Sequence, residues 1–101
     1  MALVDVADEN VELEVHMDAS QYALGGVLLA HVDDVWRPVA YHSRKFGPAE
    51  VNYSTTDREL LGIVDCLRSF RPYLLGRSFR LCTDHKPLLY YFGKSTPLTP
   101  R

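Results

Sequence analysis

Three acids stand at positions where a carboxylate calls for a partner. Asp18 closes an alternating run, Glu59 opens a helical pattern, and Asp84 closes the run Ser78-Phe79-Arg80-Leu81-Cys82-Thr83. An isolated carboxylate resists leaving water, and three meeting at one point repel and rise in pKa unless a cation compensates. Hard, oxygen-seeking ions such as Mg²⁺ or Mn²⁺ suit such a set, since Mg²⁺ is usually held by few carboxylates together with water and phosphate oxygens. Zinc fits these acids less well, because no Cys/His set stands beside them at ligand-like spacing. Two hard ions about 3.5–4 Å apart would support in-line attack of water on a phosphodiester. Hydrolysis of a nucleic-acid backbone is thus a coherent chemistry for the three, provided that the fold brings them together.

The elements that must do so can be read from the pattern. Val11, Leu13, Val15 and Met17 alternate with Glu12, Glu14, His16 and Asp18, which is the period of a strand. Residues 23–32 form a second apolar run, expected to be buried on both faces, in which Gly25-Gly26 marks a bulge or a close backbone approach. Asp33-Asp34 makes a turn into a third strand over 35–45, giving an antiparallel meander. After a loop with Gly47-Pro48, a helix starts at Thr55 or Thr56, with Leu60, Ile63, Val64, Leu67 and Phe70 on its apolar side. Pro72 predicts an end or kink near Arg71, and Gly76 closes the segment. A fourth strand covers 78–84, and 87–92 is expected to form a short helical turn.

This order places the acids. With the first three strands antiparallel, the helix begins at the end where the first strand finishes and carries the chain back to a fourth strand parallel to the first. Crossovers of this kind are right-handed almost without exception. Asp18 and Asp84 then end neighbouring strands, with Glu59 above them in the first helical turn. Ligands of open sheets bind beyond such carboxyl ends.

Each acid also has a plainer reading. Thr56-Asp57-Arg58-Glu59 has the form of a capping box, in which Glu59 reaches back to the N-cap amide, and Asp57 favours the helix dipole. Asp18 can be a turn residue and Asp84 a cap on the segment that follows. His42 and His85 can be proton carriers, phosphate contacts or structural residues. Arg44, Lys45, Arg71, Arg77 and Lys86 form either a phosphate-facing patch or a solvated surface.

Composition restrains the function classes. The chain has 101 residues, 47% hydrophobic and 24% charged, enough for one soluble domain. Its formal charge of −2 gives no global field for a polyanion, so nucleic-acid contact must be local. Cys66 and Cys82 sit in apolar patterns and read as free buried thiols, which suits a reducing compartment. No membrane span or signal peptide is apparent, so an intracellular location is the default expectation, nuclear or cytoplasmic. Residues 1–10 read as a flexible lead-in, 11–92 as the domain, and 93–101 as a linker or truncated end.

Six blocks carry a resemblance: Met17-Asp18-Ala19-Ser20, Gly25-Gly26-Val27-Leu28, Pro38-Val39-Ala40-Tyr41-His42-Ser43-Arg44, Asn52-Tyr53-Ser54-Thr55-Thr56-Asp57-Arg58-Glu59-Leu60-Leu61, Phe70-Arg71-Pro72-Tyr73-Leu74 and Thr83-Asp84-His85-Lys86-Pro87-Leu88. In this order the chain resembles the ribonuclease H domain of reverse transcriptases from gypsy-type LTR retrotransposons. The resemblance implies an α/β fold of the ribonuclease H-like kind, with a mixed sheet and helices on its faces. It also implies hydrolysis of the RNA strand of an RNA–DNA hybrid with two Mg²⁺ or Mn²⁺ ions, and a polymerase domain as neighbour in the parent polyprotein. Asp18, Glu59 and Asp84 fall on the family's first three metal-binding acids. Ser20, Arg44, His85 and Lys86 are candidate nucleic-acid contacts.

Two departures matter. Met17 stands where the family commonly has Thr, and the family's last strand, last helix and fourth acid are not present in these 101 residues. The expectation is therefore weak cleavage by this chain alone and an unpaired edge on the fourth strand. The alternative reading is a non-catalytic ribonuclease H-like module that binds nucleic acid or connects domains.

Overall fold

The structure is a computed structural model and describes residues 10–83 and 87–91. Five strands, β1 (Glu12–Ala19), β2 (Ala23–Val32), β3 (Val35–Lys45), β4 (Ser78–Cys82) and β5 (Pro87–Tyr91), form one sheet in the order β3-β2-β1-β4-β5. Helix α1 (Thr55–Ser69) and the single turn α2 (Arg71–Leu74) connect β3 to β4.

The meander is as the alternation requires, antiparallel through β1, β2 and β3. Asp33 and Asp34 both take positive φ, 53° and 62°, the backbone of a two-residue turn whose twist matches that of its strands. The ladder between β2 and β3 slips once, between Leu28 and Leu29, whose partners Ala40 and Pro38 leave Val39 as the extra residue. Pro38, which has no N–H to give, is thus accommodated beside a bulge on an edge strand. β4 returns parallel to β1, with Glu14 opposite Arg80 and His16 opposite Cys82. That is the pairing that the strand, helix and strand order demands.

Two expectations need correction. Residues 87–91 are not a helical turn but a strand, antiparallel to β4 with Leu81 opposite Leu88. A short apolar and aromatic run satisfies either reading by periodicity. Here the free edge of β4 decides, and Pro87 is tolerated as the first residue of an edge strand. The edge expected to be exposed is covered by β5.

The helix buries Leu67 and Phe70 and half-buries Ile63 and Val64 as expected, and only Leu60 departs from that side. Leu60 is 55% exposed, whereas Gly62, Cys66, Leu67 and the C-cap Phe70 are buried. Small residues sit where α1 comes closest to the sheet: a Cβ on Gly62 would stand 3.0 Å from Met17 Sδ, and one on Gly26 only 2.6 Å from Cys66 Sγ. Close approach, not a bulge, explains Gly26, whereas a Cβ on Gly25 would meet only the His42 carbonyl at 3.9 Å, an ordinary contact. The core lies between α1 and one sheet face, built from Leu13, Val15, Met17, Leu24, Leu28, Ala30, Phe79 and Leu81 against Cys66, Leu67, Phe70 and Leu74. β2 is accordingly buried on one face and half-buried on the other. The other sheet face carries Glu14, His16, Arg80 and Cys82.

α1 ends at Ser69, and Phe70 serves as its C-cap and as the N-cap of α2, where Pro72 falls in the first turn. Gly76 then takes φ 75°, the left-handed conformation that glycine adopts at least cost. Cys66 and Cys82 are both free, Cys66 buried and Cys82 half-buried. Burial and the nearby Asp65 charge push the Cys66 thiol up to about 11, so it behaves as a core hydrophobe.

Candidate active site

Asp18 is the penultimate residue of β1, exposed, with Gly25 as its partner on β2. Glu59 projects from the second turn of α1 and is half-buried. Together with Ser20, Gln21, Thr55, Arg58 and Thr83 they line one cleft of about 110 Å³ at the carboxyl ends of β1 and β4. The topology has thus brought two acids, remote in sequence, to one opening. Thr83 reaches that opening from the β4 side. Asp84, His85 and Lys86 lie outside the described residues.

The capping of α1 bears directly on Glu59. The N-cap is Ser54, whose hydroxyl accepts from the Asp57 amide at 3.1 Å. With Thr55 as the first helical residue, Glu59 is two positions beyond the place of a capping-box acid. It therefore stands in the second turn rather than the first, without the cap function that competed with ligation.

The remaining cleft residues are held by backbone bonds. Ser20 Oγ accepts from the amides of Tyr22 and Ala23 and donates to the Ala23 carbonyl, closing the β1–β2 turn that carries Asp18. Arg58 donates to the carbonyls of Val51 and Tyr53, tying the approach loop to the helix start. The acids thus stand on a fixed frame of strand end, turn and helix.

Arg44 has a different setting from the one expected of a nucleic-acid contact. Its guanidinium bonds Glu50 through both terminal nitrogens at 2.9 and 3.2 Å and reaches Asp65 Oδ2 through Nε at 3.2 Å. His42 Nε2 lies 2.7 Å from that same oxygen, and the Gly47 amide donates to Glu50. This network fastens β3, the loop after it and α1 to one another. The hydrogen bonds from Arg44 and Gly47 hold the Glu50 carboxyl below its usual range. Asp65 is also lowered, because bonds from His42 and Arg44 together outweigh the opposing desolvation.

Both groups are depressed in the folded state, so their contribution to stability is present above the ordinary carboxylate pKa and is lost as pH falls through the folded values. Arg44→Met should therefore destabilise the domain at pH 7, with the deficit against the parent shrinking toward zero as the solution is acidified below the carboxylate range. Urea unfolding of both proteins across pH checks this. A deficit constant with pH would assign the loss to packing of the arginine stem instead.

A roomier hollow, about 440 Å³, lies at the opposite end of β1 and β4 around Glu12, Arg77 and Tyr91. It brings no group of acids together. Arg77 there donates to the Val11 carbonyl at 2.6 Å, a structural contact.

Comparison with known proteins decides the relationship. The family described as "RNase H-like domain found in reverse transcriptase" matches residues 8–101. The chain belongs to that family. It is 41% identical over 95 residues to the retrovirus-related Pol polyprotein from transposon 412 of Drosophila melanogaster, covering 94% of this chain and 8% of that protein. It is 36% identical to the corresponding polyprotein from transposon 297 of the same fly, again over 94% of this chain and 9% of the relative. The transposon Tf2-3 polyprotein of Schizosaccharomyces pombe is 39% identical over 81% of this chain and 6% of its own length. The chain thus spans less than a tenth of these curated relatives. It is an RNase H-like domain of the kind carried by retrotransposon Pol polyproteins. Among the described residues no helix is long and apolar enough to cross a membrane.

Proposed function

We propose that this RNase H-like domain hydrolyses the RNA strand of RNA–DNA hybrids during reverse transcription, with Asp18, Glu59 and Asp84 as the metal-holding acids. The observation that carries the proposal is the convergence of Asp18 and Glu59 on one cleft at the carboxyl ends of the two central strands. Oxygen donors with no Cys or His among the described lining residues fit Mg²⁺ or Mn²⁺. When bound, such ions would neutralise charge on the scissile phosphate and lower the pKa of a water at it. The chain's own residues supply the rest. Asp18 and Glu59 present carboxylates from a strand end and a helix, while Ser20 and Arg58 fix the backbone that carries them. The polymerase domain of the parent polyprotein would deliver the hybrid.

The test is a hybrid labelled on each strand in turn, incubated with the chain and Mn²⁺. The RNA strand should shorten slowly while the DNA strand stays intact. Absence of cutting, combined with salt-sensitive hybrid binding that survives loss of Asp18 and Glu59, would favour a non-catalytic module instead.

A further inference from the structure

On the sheet face opposite α1, a second set of ligand-type side chains has been brought together by the β1–β4 pairing. Glu14 and His16 are two residues apart on β1 and so share one face, and Cys82 of β4 is the direct partner of His16. One ligand atom from each of Glu14, His16 and Cys82 lies within 4.8 Å of the other two. In detail, Glu14 Oε1 is 2.8 Å from His16 Nε2 and 3.9 Å from Cys82 Sγ. Bond lengths of about 2.0–2.3 Å to a tetrahedral ion require donor separations of roughly 3.3–3.6 Å, within a small side-chain adjustment of this arrangement.

We propose that Glu14, His16 and Cys82 form a binding site for a thiophilic divalent cation, Zn²⁺, distinct from the oxygen-donor cleft of Asp18 and Glu59. The donor set of one carboxylate oxygen, one imidazole nitrogen and one sulfur belongs to zinc rather than to magnesium. Three protein ligands leave the fourth position to water, and His16, with its side chain 46% exposed, leaves a route from solvent. Glu14 divides its two oxygens between two tasks. Oε1 faces His16 and Cys82, while Oε2 is held by Arg80 at 2.7 Å. Arg80 thus orients the carboxylate as an outer partner of a metal ligand does, and it need not leave for the ion to bind. On binding, the S–H of Cys82 gives its proton to solvent as the sulfur–zinc bond forms. The ion would then clamp β1 to β4 one strand position before Met17-Asp18 and Thr83, tying the two strands whose ends frame the acid cleft.

The register that sets Cys82 opposite His16 was not visible in the sequence, where the two lie far apart. The test titrates Zn²⁺, and Co²⁺ as a spectroscopic probe, into the 101-residue chain with a non-thiol reductant and excess Mg²⁺. One equivalent of Zn²⁺ should bind despite the Mg²⁺, and Co²⁺ should show a thiolate-to-metal charge-transfer band. Cys82→Ser and His16→Ala should each weaken binding at least about tenfold, whereas Asp18→Asn should leave it unchanged. Thermal melts would establish that each variant is folded. A wild-type Co²⁺ spectrum without the sulfur band would overturn the proposal, and so would Zn²⁺ binding lost in Asp18→Asn but kept in Cys82→Ser. Neither result touches the hydrolytic reading, which rests on cleavage and not on zinc.

Discussion

Asp18→Asn should lower the rate of RNA-strand cleavage in a hybrid by roughly 10²–10³-fold, the scale seen when one charge-stabilising group is removed from a preorganised site. The substitution keeps the size of the side chain and removes one negative charge. Asp18 is exposed, and its backbone place in the β1–β2 ladder does not depend on the carboxylate. Stability should therefore move by no more than about 0.5 kcal/mol, as for an ordinary surface change. The combination is diagnostic, because a structural acid would change the melting temperature and a solvated acid would change neither quantity. Cleavage rate and thermal melt on one protein preparation decide among them. A variant that cuts like the parent would remove Asp18 from the chemistry.

The second large effect lies behind the sheet. Gly26→Val should cost at least about 3 kcal/mol, beyond the usual overpacking penalty, because even the first added carbon has no room. It would stand 2.6 Å from Cys66 Sγ and 3.3 Å from the His16 carbonyl, so either α1 must lift or β1 must shift. Native domains hold only about 5–15 kcal/mol, so such a loss is a large share of the total. A drop in melting temperature of roughly 12 °C or more follows for a domain of this size. Lifting α1 would also move Glu59 relative to Asp18, so cleavage should fail at temperatures where the parent still works. Gly26→Ala paired with Cys66→Ala isolates the contact. If sulfur is the obstacle, the double variant loses less stability than the two single losses added together.

These effects show which parts of the molecule local sequence could reveal. The bounds of β2 and β3 were legible because apolar runs end at Asp33-Asp34, a pair suited to a tight turn with both φ values positive. The parallel return of β4 beside β1 followed from element order alone. So did the meeting of Asp18 and Glu59, since strand ends and the helix start must share one side of the sheet.

Other features are set by contacts between distant segments and leave little local trace. The buried face of α1 runs through Gly62, Cys66, Leu67 and the C-cap Phe70, with small residues at 62 and 66 where Met17 and Gly26 come close. An apolar count favoured Leu60, which is exposed. The capping signal was ambiguous since Ser54, Thr55 and Thr56 can each start a helix, and a two-residue difference turns Glu59 from cap to cleft acid. Residues 87–91 were undecidable locally, and the free edge of β4 made them a strand. Arg44 shows the same limit in charge, for only the fold reveals that Glu50 and Asp65 already engage it.

Mn²⁺ can report directly on the cation proposed to bind between Asp18 and Glu59. In an amide-resolved NMR titration, the paramagnetic ion broadens signals of nuclei close to it. Amides of residues 17–21, 55–59 and 83, which surround the cleft, should disappear first and together, and excess Mg²⁺ should restore them. Broadening centred instead on exposed acids elsewhere, such as Asp33 and Asp34 in the β2–β3 turn, with the cleft amides unaffected, would contradict the account.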